Sequence, residues 1–217
     1  GGGGNAGTVS NIATLVGGAG ADSIAFATGV TNASVDLGAG SDSLTLASAT
    51  NRVTVANTEM VYGDSGNDTI ALTGIAAGTV VGGGGMNFVT GNAAADQFVF
   101  DQDGAGNATT VMNFSAAKGD KIALDTTGSP AFGANTYDLG GAALIVNTDL
   151  ADVVNAAARA ATTLSNAGKG AFVYEQDSGG LYYSSNGSFA SGAVLVGTVT
   201  TNGSTPWTFN ASSFIQV

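Results

Sequence analysis

The stretch GGAGADSIA at residues 17–25 decides the fold, because altered copies of it return at short intervals up to residue 99. The copies read GAGSDSLT at 38–45, GDSGNDTIA at 63–71, GGGGMNFV at 82–89 and GNAAADQFV at 91–99. Their common skeleton is Gly-Gly-x-Gly-x-Asp-x-apolar-x, and Leu37, Asp64 and Asn87 are among its departures. The pattern is typical of a Gly-rich turn that leads into a short strand.

Apolar residues recur through the same region at nearly constant spacing. Successive members are 8 to 11 residues apart and alternate members 17 to 20 apart: Leu15, Ile24, Val35, Leu44, Val53, Val61, Ile70, Val80, Val89 and Phe98. This spacing predicts a flattened parallel solenoid with two short strands per coil, in which one apolar residue per half-coil points inward. Residues 1–100 would form about four or five coils at ~4.8 Å each.

The residue two places before each inward apolar residue is the candidate ligand position. Along one edge of the solenoid, the first edge, these residues are Asp22, Asp42, Glu59, Gly78 and Asp96. Along the other, the second edge, they are Ala13, Ala33, Asn51, Asp68 and Asn87. Carboxylate and carbonyl oxygens are the ligands that calcium prefers, and Gly lets consecutive carbonyls turn inward.

The skeleton is similar to the calcium-binding nonapeptide of the RTX (repeats-in-toxin) family, whose β-roll holds ions between equivalent turns of successive coils. The resemblance implies a calcium site between Asp22 and Asp42, which Glu59 extends to a second ion. On the second edge it implies that Asp68 binds with either Asn87 or Asn51. The full implied ligand set is Asp22, Asp42, Glu59, Asp68, Asn87, Asp96, Gly18, Gly20, Gly38, Gly40 and Gly66. One to three ions would fold the roll; the alternative is a calcium-free solenoid whose Asp residues only cap turns.

The nine-residue rhythm stops after Phe98, so residues 101–217 are predicted to form a distinct β-rich C-terminal capping domain. The resemblance to RTX proteins implies that this domain also serves in secretion. One helix is predicted near 149–166, where Thr148 can cap apolar residues at helical spacing. Short strands are predicted at 171–175, 180–184, 193–199 and near 207–209. The loop after Phe100 begins like an EF-hand but lacks its closing Glu, which favours a plain polar turn over a further calcium site.

Composition excludes several classes of function. The 217 residues carry 5 Lys+Arg against 16 Asp+Glu, a formal net charge of −11, and include no His and no Cys. Imidazole and thiol catalysis, disulfides and thiolate metal sites are therefore excluded. A strongly acidic surface disfavours nucleic acid and anionic membranes as partners, and no apolar run approaches the ~18 residues of a membrane span. We expect no catalytic residue in the chain.

The second half is similar to the region that follows the roll in type I secreted proteins, through residues 111–114, 119–122, 180–183 and 213–215. With the Ala/Thr/Val-rich composition, this implies a mainly β, non-enzymatic, calcium-binding C-terminal module of an S-layer-like surface protein. Such a protein would be secreted to the cell surface of a Gram-negative bacterium. Its implied partners are the type I secretion machinery and either further copies or a surface glycan.

Two alternatives stay open at this point. The chain could be the secretion tail of an adhesin, or of a protease or lipase whose catalytic domain lies upstream. Tyr174, Tyr182, Tyr183 and Trp207 could instead form a carbohydrate-binding platform, or the solenoid could bind ice. Tyr182 and Tyr183 must face opposite sides of a strand, so at least one of them is expected in the core.

Overall fold

The computed structural model is a mainly β molecule built on a parallel β-solenoid, as the sequence spacing predicts. It describes residues 2–101, 106–125, 144–147, 171–175, 178–184, 194–200 and 211–217. The strands form one 8-stranded and one 10-stranded sheet. The helix predicted near 149–166, most of the EF-hand-like loop and Trp207 lie outside the described residues.

Successive strands alternate between the two sheets. The first sheet contains, in spatial order, β1 (Ala6–Val9), β3 (Ser23–Phe26), β5 (Ser43–Thr45), β7 (Met60–Tyr62), β9 (Thr79–Val81), β11 (Gln97–Phe100), β13 (Lys121–Leu124) and β18 (Phe214–Gln216). The second contains β2 (Thr14–Ala19), β4 (Ala33–Ala39), β6 (Arg52–Ala56), β8 (Thr69–Thr73), β10 (Asn87–Thr90), β12 (Thr109–Met112), β17 (Val194–Val199), β16 (Gly180–Ser184), β15 (Ala171–Glu175) and β14 (Leu144–Asn147). Each pair from β2/β3 to β12/β13 forms one coil, which gives six coils.

The core lies between the sheets and consists of columns of apolar side chains, one from each coil. The first sheet contributes the column that the sequence predicts, with one further member beyond Phe98: Ile24, Leu44, Val61, Val80, Phe98 and Ile122. All six side chains are buried. Because the strands are parallel and in register, each side chain packs on its equivalents in the coils above and below.

In the second sheet, the observed strand register differs from the predicted one by a shift of two residues between β4 and β6. Leu15 pairs with Val35 as expected, but Val35 pairs with Val55, whereas Val53 pairs with Ala33. Val53 and Val55 both point inward because side chains in a strand repeat every two residues. Either register therefore buries a Val, and sequence spacing alone could not choose between them.

The parallel pairing continues past Phe100, where the sequence rhythm ends. β12 pairs with β10 and β13 with β11, and the inward residues Val111 and Ile122 are fully buried. β17 and β18 then add to the two sheets in parallel orientation, whereas β16 and β15 are antiparallel. A separation into two domains near residue 100 stays a prediction.

Aromatic residues fill the core at this end of the molecule. Tyr174 and Phe214 have ring centroids 5.9 Å apart, and those of Phe172 and Tyr183 are 4.9 Å apart. All four side chains are buried, whereas Tyr182 is half-buried. The expectation that one of the adjacent tyrosines is core is confirmed for Tyr183. The proposed sugar platform is wrong for Tyr174 and Tyr183, because neither ring reaches solvent.

Candidate metal centre

A ladder of hydrogen bonds runs along the first edge, at the turns that lead into the strands of the first sheet. Oδ1 of Asp22 accepts the backbone N–H of Asn5 at 2.6 Å, and Oδ1 of Asp42 accepts that of Asp22 at 2.7 Å. Oε2 of Glu59 accepts the N–H of Asp42 at 2.7 Å. Each of these three carboxylates therefore uses one oxygen to hold the preceding coil. The strand register places Asp22, Asp42 and Glu59 at equivalent positions of successive coils, as the sequence spacing predicts.

The ladder continues past the position where Gly78 supplies no side chain. The N–H of Gly78 donates to Oδ1 of Asp96 at 3.0 Å, and the N–H of Asp96 donates to Oδ1 of Asp120 at 2.9 Å. Sequence reasoning did not include Asp120. It stands two residues before the inward Ile122, which is the rule for this edge, but the longer connection after Phe98 hides the repeat.

In the part of the chain that the structure describes, three carboxylates keep their second oxygen buried and without a hydrogen-bond partner: Oδ2 of Asp22, Asp42 and Asp68. The side chains of these residues are only 1%, 2% and 1% exposed. A buried carboxylate oxygen without a donor or cation is costly, and such atoms are rare in native proteins. These oxygens are therefore the atoms of the described chain that best fit a hard metal ion.

Glycine five residues before the aspartate keeps the space around two of these oxygens open. A Cβ at Gly17 would overlap Oδ2 of Asp22, and one at Gly63 would lie 2.9 Å from Oδ2 of Asp68. The predicted turn glycines lie in the same turns, and all five have positive φ: Gly18, Gly20, Gly38, Gly40 and Gly66. This backbone conformation is strained for other residue types, so the turns depend on Gly.

The asparagines of the second edge show where the turn carbonyls converge. Nδ2 of Asn87 donates to the carbonyls of Gly82 at 3.0 Å, Gly83 at 3.3 Å and Gly85 at 3.4 Å. Nδ2 of Asn51 donates to the carbonyls of Ala47 at 2.9 Å and Ala49 at 2.7 Å. In each of these two turns, the side-chain N–H₂ group of the asparagine, with its partial positive charge, therefore lies among the turn carbonyls.

The oxygen atoms of the same two asparagines serve the ladder of the second edge. Oδ1 of Asn87 accepts the N–H of Asp68 at 2.9 Å, and Oδ1 of Asp68 accepts the N–H of Asn51 at 2.9 Å. Oδ1 of Asn51 accepts the N–H of Val30. Ala33, which the sequence spacing predicts to be the equivalent of Asn51, pairs with Val53 instead and therefore lies two residues away from this position. Asn87, a predicted ligand, therefore has both polar ends engaged by the protein.

Asp96, another predicted ligand, differs from the three aspartates with a free oxygen. Its Oδ2 accepts the N–H of Asn92 at 2.7 Å, within its own turn. Oδ2 of Asp120 likewise accepts the N–H of Ser115 at 2.7 Å. Both oxygens of both carboxylates are occupied, so these two turns are satisfied by the backbone.

Burial shifts the protonation of the acidic ladder. It raises the pKa of Asp68 to about 6, against the lowering effect of the hydrogen bonds from Asn51. It also raises the pKa of Asp96 and of Asp120, in each case against hydrogen bonds from backbone N–H groups. A cation beside such a carboxylate has the opposite effect, because it favours the charged form.

The candidate metal ligands in the turns of Asp22, Asp42 and Asp68 are all oxygen atoms, from carboxylates and from backbone carbonyls. The described residues contain no cluster of three or more carboxylates that could hold a metal. An ion at these turns would therefore be bound by one or two carboxylates together with turn carbonyls. Such hard ligands suit calcium, whereas zinc and copper prefer nitrogen and sulfur.

No protein-family model, no curated protein and no solved structure matches the chain. The part of the chain that the structure describes contains no helix that is both long and apolar enough to span a membrane. The class of the protein therefore follows from its own fold and turns: it is a parallel β-solenoid with acidic, Gly-rich turns, compatible with a β-roll of the RTX type.

Proposed function

We propose that the chain is a non-catalytic calcium-binding module of the RTX type, whose coils fold around ions from the surrounding medium. The observation that carries the proposal is the set of three buried, unpartnered oxygens on Asp22, Asp42 and Asp68. In the absence of a cation each of them destabilises the fold, and a bound ion removes that cost. Ion binding then contributes directly to the free energy of folding.

Asp22 and Asp42 supply the strongest pair of ligands. They are equivalent residues of neighbouring coils, which parallel pairing places about 4.8 Å apart along the rod. Both carry a free Oδ2 in a Gly-rich turn. When bound, calcium would neutralise the two carboxylates and take further oxygens from turn carbonyls. Glu59 continues the edge, with Oε2 engaged by Asp42.

The biological setting we propose is a type I secreted, S-layer-like protein on the surface of a Gram-negative bacterium. Calcium is scarce inside cells, so the coils would stay loose for passage through the secretion machinery and fold outside. The lack of Cys suits this route, since no disulfide has to form. The lack of both His and Cys also supports a role that is not enzymatic.

Calcium titration from a chelated start, followed by far-UV circular dichroism, tests the proposal. We expect a cooperative gain of β signal at roughly 0.1–1 mM calcium, the range of extracellular modules, and no gain with magnesium. The double variant D22N/D42N should bind less calcium and gain less β signal when calcium is added, whereas D64N, which neutralises an exposed Asp, should titrate like the wild type. A chain whose signal and stability ignore calcium would refute the calcium function.

Self-association is the part of the proposal that concerns the S-layer-like role. Light scattering of the wild-type chain with calcium and after chelation measures it directly. Large particles with calcium and small ones without would support a surface lattice. Monomers under both conditions would contradict a lattice role for this chain and leave the calcium-folded module intact.

A further inference from the structure

We infer that this solenoid has turns of two kinds, and that the turns at Asn51, Asn87, Asp96 and Asp120 are closed by the protein's own N–H groups and bind no ion. We call these the closed turns, and those of Asp22, Asp42 and Asp68 the open turns. The inference rests on the proposed calcium function and adds which residue in each turn decides whether an ion enters.

The asparagine turns are closed by a side-chain amide. In the turn that ends at Asn87, Nδ2 contacts three backbone carbonyls, and the residue is completely buried. An ion in this turn would have to displace an N–H₂ group that already satisfies those carbonyls. An amide nitrogen cannot ligate calcium, which takes oxygen ligands. Asn at this position therefore replaces the ion.

The turns at Asp96 and Asp120 are closed by backbone N–H groups. Asn92 and Ser115 donate to the oxygens that would otherwise be free, both at 2.7 Å. These donors lie four and five residues before the carboxylate, in the turn itself. In the open turns, the second carboxylate oxygen is available to a cation. In these two turns, the same oxygen is already bonded to an N–H group, whose hydrogen would repel a cation.

Apart from the closed turn at Asn51, which lies between the open turns of Asp42 and Asp68, the two kinds of turn are separated along the chain. Among the described residues, the three unpartnered carboxylate oxygens all belong to residues up to Asp68. From β8 to β13, the described turns at Asn87, Asp96 and Asp120 are all closed. We therefore expect strands β8–β13 to keep their structure when ions are removed, and strands β2–β7 to lose theirs. The ion-independent coils then provide the edge on which the remaining coils pair.

Calcium stoichiometry, measured by equilibrium dialysis, tests the assignment of the turns. We expect N87D to bind one more ion than the wild type, because it replaces the amide donor by a free oxygen. D68N should bind one ion fewer, and D96N should bind as many as the wild type. An unchanged count for N87D, or the loss of an ion in D96N, would overturn the inference while the proposed calcium function stands.

Hydrogen exchange of the wild-type chain in chelator tests the same inference without a variant that might fail to fold. We expect slow exchange for amides of β8–β13 and fast exchange for those of β2–β7, with calcium protecting the latter by at least tenfold. Uniform protection or uniform loss across both groups would refute the division. If the wild type binds no calcium but this contrast persists, the proposed function fails and the division of the turns survives.

Discussion

Asp68 and Asn87 stand at equivalent positions of neighbouring coils, and the side-chain oxygen of Asn87 accepts the backbone N–H of Asp68 at 2.9 Å. Both side chains are buried. They differ in the group that faces the turn: Asp68 has an unpartnered Oδ2, whereas Asn87 has an Nδ2 that donates to turn carbonyls. A single exchange of oxygen for N–H₂ thus separates a turn that needs a cation from one that does not.

Replacing Asp68 by Asn should make the protein less dependent on calcium. In chelator we expect D68N to be more stable than the wild type by about 1–2 kcal/mol. The reason is that the N–H₂ group of Asn replaces an unsatisfied buried oxygen and can donate to nearby carbonyls. In saturating calcium we expect it to be less stable, because one ion is no longer bound. Urea unfolding under both conditions measures the difference. The control D64N removes a nearby exposed charge, and an equal effect of D64N would attribute the result to charge alone.

Acidification should stabilise the calcium-free protein. Burial raises the pKa of Asp68 to about 6, and also raises that of Asp96 and Asp120. Between a pH of about 6, the raised pKa of Asp68, and the ordinary pKa of Asp, the folded chain binds more protons than the unfolded chain, so the free energy of unfolding rises as the pH falls. The raised pKa values of Asp96 and Asp120 act in the same direction. The gain is complete below the ordinary pKa, where both states are protonated.

Thermal melts in chelator between pH 7.5 and pH 5 measure this dependence. We expect a higher melting temperature at pH 5, and a smaller gain in D68N. With calcium the trend should reverse, since protons compete with the ion for the same oxygens. A melting temperature that falls on acidification in chelator would contradict the raised pKa values.

Gly38 should be intolerant of any side chain. Its φ is +95°, and a Cβ would overlap the carbonyl oxygen of Gly18 in the preceding coil. We expect G38A to lose at least about 2 kcal/mol, since backbone strain of this kind costs ~1–3 kcal/mol before the clash is counted. Gly7 is the matched control, because a Cβ there meets nothing within 4 Å. Equal urea midpoints for G38A and G7A would show that the coils do not approach each other this closely.

Much of this architecture could be predicted from the sequence, because the solenoid repeats one local rule. Apolar residues two places after Asp22 and Asp42 define the buried column of the first sheet, and the structure follows it. The register of Val53 and Val55 could not be predicted, since both are apolar and both point inward. Asp120 was missed because an insertion separates its coil from the preceding rhythm.

The state of each turn was equally beyond sequence reasoning. Asp22 and Asp96 occupy the same position of the repeat, yet only Asp96 receives an N–H on its second oxygen. The difference depends on the conformation of the Asn92–Asp96 turn, whose inner residues are Ala instead of Gly. A motif comparison records the shared Asp and cannot detect the donor that satisfies it.

The apolar columns should account for most of the stability that does not depend on ions. Ile70 is fully buried in the second sheet, where it pairs with Val53 on one side and Val89 on the other. In saturating calcium we expect I70A to lose about 2–5 kcal/mol, because the neighbouring coils are tied by their strand pairing and cannot collapse into the cavity.

Ile75 provides the control for that substitution, since it is the same residue type five positions along the chain and 90% exposed. We expect I75A to change the free energy of unfolding by no more than ~0.5 kcal/mol. Urea unfolding of both variants in calcium gives the comparison. Because I70A removes packing and leaves every turn oxygen in place, it should lower stability at unchanged calcium stoichiometry, whereas D68N lowers both. If I70A also lost an ion, core packing and ion binding could not be separate contributions to the fold.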